Sequence, residues 1–210
     1  TLCLEGLTDK DAIEALTIAM GSPYDVSGAA HIPEQDVDVP ALTLIRIEGS
    51  SSSVEIRASR LQALVEKYGT VLRLGKDHSA VVWESIRELT PLRARCDEVV
   101  WRLSVAPDIA SAVTAFIGSQ LRVARWYFDW SGGLIWLALP CRPDAGCSIV
   151  RNAVAAVGGH ATLMRASDDV RRSVPVFQEL APALTAITAN IKNAFDPNGI
   201  LNPSRMYDRV

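Results

Sequence analysis

Lysine is scarce in this chain, limited to Lys10, Lys67, Lys76 and Lys192; the other cations are arginines, and the formal net charge is -3. The first 56 residues carry ten Asp or Glu against Lys10 and Arg46, while residues 57–210 carry 19 basic and 14 acidic side chains without a dense run. A binder of nucleic-acid phosphates needs a concentrated basic face, so that class is excluded. Cysteine is sparse too: Cys3, Cys96, Cys141 and Cys147 form no Cys-x-x-Cys pair and have no closely spaced His. Iron-sulfur clusters and structural zinc sites need several soft ligands held together, which this spacing does not offer. Reduced thiols in a cytosolic protein are expected, with a Cys141–Cys147 disulfide as the alternative. No run of about 20 apolar residues is present, so no transmembrane helix is expected. Nor does a basic segment leading into an apolar run open the sequence, so no signal peptide is expected within it. The chain begins Thr1-Leu2-Cys3 without an initiator Met, and sequence upstream of it is expected. Gly-x-Gly-x-x-Gly, Gly-x-Ser-x-Gly, the phosphate loop ending in Lys-Ser or Lys-Thr, and His-Glu-x-x-His are all missing.

What is present is apolar and periodic. Hydrophobic residues make up 49% of the 210 and charged residues 21%, enough to offset the entropy of ordering the chain and to build one sizeable core or two small ones. Thr8 and Asp11 precede Ile13, Leu16 and Ala19, which predicts a capped helix over 9–20 closed by Gly21. Strands are expected at 26–33 and 42–48, flanking an acidic loop from Pro33 to Pro40 that holds Glu34, Asp36 and Asp38. A capping box at Ser52 and Glu55 predicts a helix over 53–68; a short strand at 71–74 and a helix over 77–88 follow. After Pro91 the order restarts: strand 99–105, a helix opened by Pro107, strand 122–130, a Gly132-Gly133 turn, strand 134–139, helix 145–157, and strand 160–166. Strand, helix, strand, strand, helix, strand is the order of a ferredoxin-like split βαβ unit. Residues 9–75 read as an incomplete version of the same order, helix, strand, strand, helix, strand, with the opening strand either at Thr1 to Glu5 or upstream of the sequence. The expected fold is α+β: duplicated ferredoxin-like units, about 1–92 and 93–178, forming an antiparallel sheet with helices on one face. A polar connector over 167–178, a closing helix over 179–195 and a docking tail complete it.

Few residues offer chemistry. Asp168 and Asp169 fall in the polar connector and are expected as caps or solvated charges. His31 is expected at the surface and His78 in solvent. His160 follows Gly158-Gly159 and starts a strand; glycine allows close backbone approach, so both a structural histidine and a site-lining one remain open. Arg102 alternates with Trp101 and Leu103 and faces the helix-free side, as does a second set, Arg125, Tyr127 and Asp129. A solvated polar face and an arginine fork for a carboxylate both fit that pattern. Phe195-Asp196-Pro197-Asn198-Gly199-Ile200-Leu201-Asn202-Pro203 combines a helix stop, an Asn-Gly turn and a proline-fixed bend, suited to docking against another surface.

That tail, extended back to Lys192-Asn193-Ala194, resembles the closing signature of FAD-linked oxidases of the vanillyl-alcohol-oxidase type. Trp101-Arg102-Leu103-Ser104, Gly132-Gly133-Leu134-Ile135-Trp136-Leu137 and Gly158-Gly159-His160-Ala161-Thr162-Leu163-Met164-Arg165 are similar, in the same order, to the FAD-binding E subunits of glycolate oxidase. The likeness covers residues 101–207 by motif and the first hundred mainly by layout. Ser204 stands where members commonly have glycine.

The resemblance implies a cap and substrate domain whose FAD-binding domain lies upstream, absent from this sequence. It implies FAD in the full-length protein and none held by this segment alone. A second flavoprotein subunit and an iron-sulfur subunit are the implied partners, in the cytoplasm or peripheral to the inner membrane through the complex. A small 2-hydroxy acid, glycolate going to glyoxylate, is the implied substrate. On that footing Arg102 becomes a candidate carboxylate clamp and His160 a candidate base, while Asn202 and Arg205, with Pro203 and Tyr207, are placed towards the cofactor domain. Two other readings stay open: a structural flavoprotein subunit bracing the complex, and a ferredoxin-like ligand-binding or dimerisation module. An apolar patch on the open sheet face, or a homodimer covering it, is the expected trace of the missing domain.

Overall fold

The computed structural model describes residues 1–34, 39–92, 98–204 and 206–207. Cys96, Asp36, Asp38 and Arg205, each named above, lie outside them. Eight strands form a single antiparallel sheet in the order β4-β1-β3-β2-β6-β7-β5-β8. One half comprises β1 (Leu2–Glu5), β2 (Val26–Ile32), β3 (Leu42–Ile47) and β4 (Val71–Arg73); the other comprises β5 (Glu98–Ser104), β6 (Arg125–Asp129), β7 (Leu134–Pro140) and β8 (His160–Arg165). Within each half the neighbours run fourth, first, third, second, the split βαβ arrangement, and the halves join where His31 of β2 lies opposite Phe128 of β6.

Local chemistry sets the helices. Thr8 accepts the Asp11 N–H at 3.2 Å and starts α1 (Asp9–Met20), which buries Ala12, Ile13, Ala15, Leu16 and Ala19. Together with α2 (Ser51–Val65) it covers Leu2, Leu4 and Ile45 of the first half. The same side of the second half packs Trp101, Leu103, Phe128, Ile135 and Leu137 under α4 (Ala110–Gln120) and α5 (Cys147–Ala155). The capping box expected at Ser52 is not made. Ser50 occupies the N-cap without a side-chain bond, and Glu55 instead pairs with Arg73 at 2.6 Å.

The expectation of helices on one face alone needs correction, because α3 (Lys76–Arg87) lies on the other side of the sheet. Cys3, Ala30, Leu44, Tyr127 and Ala138 are buried there, and without a cover they would face water. Trp83 docks flat on Gly28, where an added Cβ would come within 2.8 Å of the indole. Its Nε1 donates to Thr1 Oγ1 at 3.0 Å, and Tyr127 Oη donates to the Ile86 carbonyl at 3.0 Å. Tyr127 therefore leaves the open-face set proposed for β6. Arg125 pairs with Glu98 at 2.7 Å, and Asp129 caps the Trp130 N–H at 2.8 Å.

His31 is also corrected: it is fully buried at the seam between the halves. Nδ1 is 3.0 Å from Thr43 Oγ1 and Nε2 is 3.2 Å from Asp9 Oδ1, while Trp126 Nε1 donates to Asp9 Oδ2 at 2.8 Å. This polar chain ties β2, β3, α1 and β6 together, and every buried polar atom named in it has a partner, as burial requires.

Cys141 and Cys147 are free thiols, so the alternative of a disulfide between them is overturned; Cys3 is free as well. Burial pushes the Cys3 thiol up to about 11 and raises that of Cys147, the opposite of an activated nucleophile. The connector after β8 is not wholly irregular. Ser167 caps α6 (Asp168–Ser173), placing Asp168 and Asp169 in its first turn, where they favour the helix dipole. The closing helix, α7 (Pro182–Phe195), starts at a proline, and none of its residues is buried. No helix among the described residues is long and apolar enough to cross a membrane.

Candidate functional site

With α3 over the first half and the seam, the sheet's uncovered side is left mainly to β5 and β8. Strand register assembles it in two rows. Arg102 lies between Trp136 of β7 and Thr162 of β8, and Ser104 lies between Leu134 and His160. Arg102 and His160 are therefore diagonal neighbours on one face, with Cα atoms about 7–8 Å apart for such positions. Arg102 and Thr162 are half-buried and His160 is exposed.

Two features hold this surface in place. Gly159 brings the end of α5 against β5: a Cβ there would sit 2.5 Å from the Ser104 carbonyl oxygen and 2.8 Å from Val105 Cγ1. The close approach expected of the glycine pair is thus made, and it sets where His160 enters the sheet. At the other end, β6 stops at Asp129, and the next residue, Trp130, turns its ring over Arg102, with the guanidinium carbon 6.0 Å from the ring centroid. Burial pushes the Asp129 carboxyl above its usual range, opposed by the bond it accepts from the Trp130 N–H. Among the described residues Arg102 enters no ion pair, so its fork of N–H donors is available. The sequence did not single out Trp130, Trp136 or Thr162. Strand alternation could have found Thr162 and Trp136 once β7 and β8 were set beside β5.

The tail is a built structure of its own. The Asp196 carboxylate accepts the Ile200 and Leu201 N–H groups at 3.0 and 2.8 Å and the Lys192 ammonium at 2.6 Å; Lys192 also donates to the Leu201 carbonyl. Gly199 makes the turn at φ 62. Tyr207 returns to Phe177, ring centroids 6.0 Å apart. Asn202 is exposed, at φ 47. The lock turns Ile200 and Leu201 outward beside Leu184, Ile187, Ile191 and Phe195, the last 84% exposed. Exposed apolar side chains thus gather on α7 and the tail, and on the open sheet face Trp130 and Met164 are exposed as well.

The Lys192 ammonium, followed by the Leu201 N–H, holds the Asp196 carboxyl down to about 2. A depressed folded pKa stabilises the turn above the ordinary Asp value, about 3.9, and the stabilisation is lost as pH falls from there through about 2. The Ile200 and Leu201 amide NMR shifts should titrate with a midpoint near the lower value; a midpoint at the ordinary Asp value would mean the lock does not form.

A separate cleft of about 650 Å³ lies between α2, α3 and the β1 end of the sheet, lined in part by Arg46, Arg73 and Lys76. Its lining includes none of the candidate site residues Arg102, His160 and Asn202.

Residues 173–206, which hold α7 and the locked tail, match the family described as FAD linked oxidases, C-terminal domain. The chain is 31% identical over 163 residues to glycolate oxidase subunit GlcE of Escherichia coli (strain K12). Both similarities point to the C-terminal domain of FAD-linked oxidases. The match to GlcE covers 78% of this chain and 38% of that protein, so the chain spans well under half the relative's length. The family match falls on the exposed helix and tail, while the Arg102–His160 face lies outside it.

Proposed function

We propose that this domain is the cap of a longer FAD-dependent oxidoreductase subunit that helps oxidise a small 2-hydroxy acid, glycolate being the substrate named by its relative. The observation that carries the reading is an arginine that enters no ion pair among the described residues, held between an indole and a threonine on the side of β5 and β8 that α3 leaves uncovered. The residues present fit one wall beside a flavin. Trp136 offers a flat apolar face, and Arg102, Thr162, Ser104 and His160 offer polar atoms along one edge. The upstream domain would hold the rest of FAD. When bound, FAD would accept the two electrons lost by the substrate's carbinol carbon.

The chain's own part is binding and proton handling. The Arg102 guanidinium would take the substrate carboxylate through paired N–H donors, whose planar geometry matches it. Thr162, beside it, would donate to or accept from the 2-hydroxyl. His160, exposed and one row along, would receive the hydroxyl proton at an imidazole nitrogen. The outward stripe of α7 and the locked tail, with Asn202 and Arg205, would close onto the FAD domain. A second flavoprotein subunit and an iron-sulfur subunit would complete the assembly and carry electrons onward. Exchanging Arg102 and His160 singly in the full-length flavoprotein tests the reading: loss of 2-hydroxy-acid turnover is expected, and unchanged turnover in both would remove this face from the active site.

A further inference from the structure

We propose that Trp130 is a positioning residue that fixes the Arg102 guanidinium for a small carboxylate, a claim that rests on the substrate face described above. Trp130 is 66% exposed, so folding gains little from burying it. Its backbone is nevertheless held at φ 50, followed by Ser131 at φ 57 and Gly132 at φ 95. Consecutive left-handed residues in a strand connection favour Asn and Gly, and a bulky ring there is an outlier. Ser131 adds to the cost, its buried hydroxyl having no hydrogen-bond partner among the described residues.

The turn is over-determined from beneath. Asp129 Oδ1 accepts the Trp130 N–H at 2.8 Å, and Gly133 N–H donates to the Trp130 carbonyl at 3.0 Å. Gly132 is wedged where a Cβ would meet Ile13 Cδ1 at 2.8 Å and Ala110 Cβ at 3.2 Å. Strain maintained in this way, around a side chain left in solvent, is a mark of a functional turn. What the turn delivers is the indole over Arg102, its centroid 6.0 Å from the guanidinium carbon. A cation over an aromatic face is attracted without using its N–H donors. The arginine is thus oriented from above while its fork stays open to an anion, and Trp136 and Thr162 flank it in the sheet.

The test uses the full-length protein and two readouts: calorimetric binding of oxalate, an unreactive small dicarboxylate, to the FAD-free form, and steady-state kinetics of the loaded enzyme with glycolate. Trp130→Ala, and Trp130→Gly, which relieves the backbone strain, should each weaken oxalate binding and raise KM by about three- to tenfold. Both should leave kcat within about twofold and FAD content unchanged, and Trp130→Phe should restore most of the loss. Unaltered binding in the alanine and glycine variants would overturn the proposal, and so would a loss of FAD content, which would assign the indole to domain docking. Arg102→Ala separates the two claims. If it binds oxalate normally, the carboxylate face itself is wrong; if it fails to bind while Trp130→Ala binds normally, only the positioning role is wrong.

Discussion

Arg102→Ala in the full-length flavoprotein is expected to lower kcat/KM for glycolate by about 100- to 1000-fold, with FAD content unchanged. The size follows from the interaction removed. A hydrogen bond to a charged group contributes roughly 1.5–3 kcal/mol, and a carboxylate held by a planar fork makes two, so the lower part of that range, for a partly exposed site, gives the expected factor. Arg102 has no ion pair among the described residues, so its removal strands no internal carboxylate and leaves the fold intact. Arg102→Lys keeps the charge but not the fork, and recovery should be partial. Steady-state kinetics with a flavin absorbance ratio checks both expectations. A variant that folds, holds FAD and turns over glycolate normally would leave Arg102 as a solvated surface residue.

The largest effect on stability is expected at Gly159. A methyl group there would press on the Ser104 carbonyl oxygen at 2.5 Å, on Val105 Cγ1 at 2.8 Å and on the Val154 carbonyl oxygen at 3.2 Å. Two of these atoms are backbone, so relief requires α5 and β5 to separate, and the methyl cannot be absorbed by a rotamer change. Gly159→Ala should cost about 3 kcal/mol, the upper part of the range for overpacking, or roughly 6–12 °C in Tm for a chain of this size. Gly158 next to it, at φ 73 with open space around the built Cβ, makes a useful contrast. Alanine there meets backbone strain alone and should cost less. Thermal unfolding of both variants decides this, and equal, small shifts would contradict the close packing of the helix end on β5.

Most of the element order was legible because it rests on short-range rules. Thr8 with Asp11, the glycine at 21, the Pro107 helix start and the strand alternation around Trp101 each have a local cause that the structure retains. What escaped was non-local. The run Leu42–Ile47 is apolar on both sides of β3, with Ile45 under α2 and Leu44 under α3. Apolar residues on both faces mark a strand covered twice, and they were the available sign that α3 would cross to the other face. His31 looked like a loop histidine because its partners, Asp9 and Thr43, come from different elements. Arg102 and His160 were each legible from alternation, but their diagonal relation depends on β5 lying between β7 and β8. Trp130 was hidden for a different reason: its direction is set by positive φ angles in a turn whose Trp-Ser sequence lacks the usual Asn or Gly.

The central claim is that α7 and its locked tail fold onto a neighbouring FAD domain, bringing the Arg102 face over the flavin. Side-chain oxidative footprinting of the isolated chain against the full-length protein measures this directly, residue by residue. The account predicts that Ile187, Ile191, Phe195 and Ile200 label strongly in the isolated chain and are several-fold protected in the full-length protein, with Ile56 and Val81 on the far helices equally labelled in both. Equal labelling of the α7 stripe in the two proteins would contradict it.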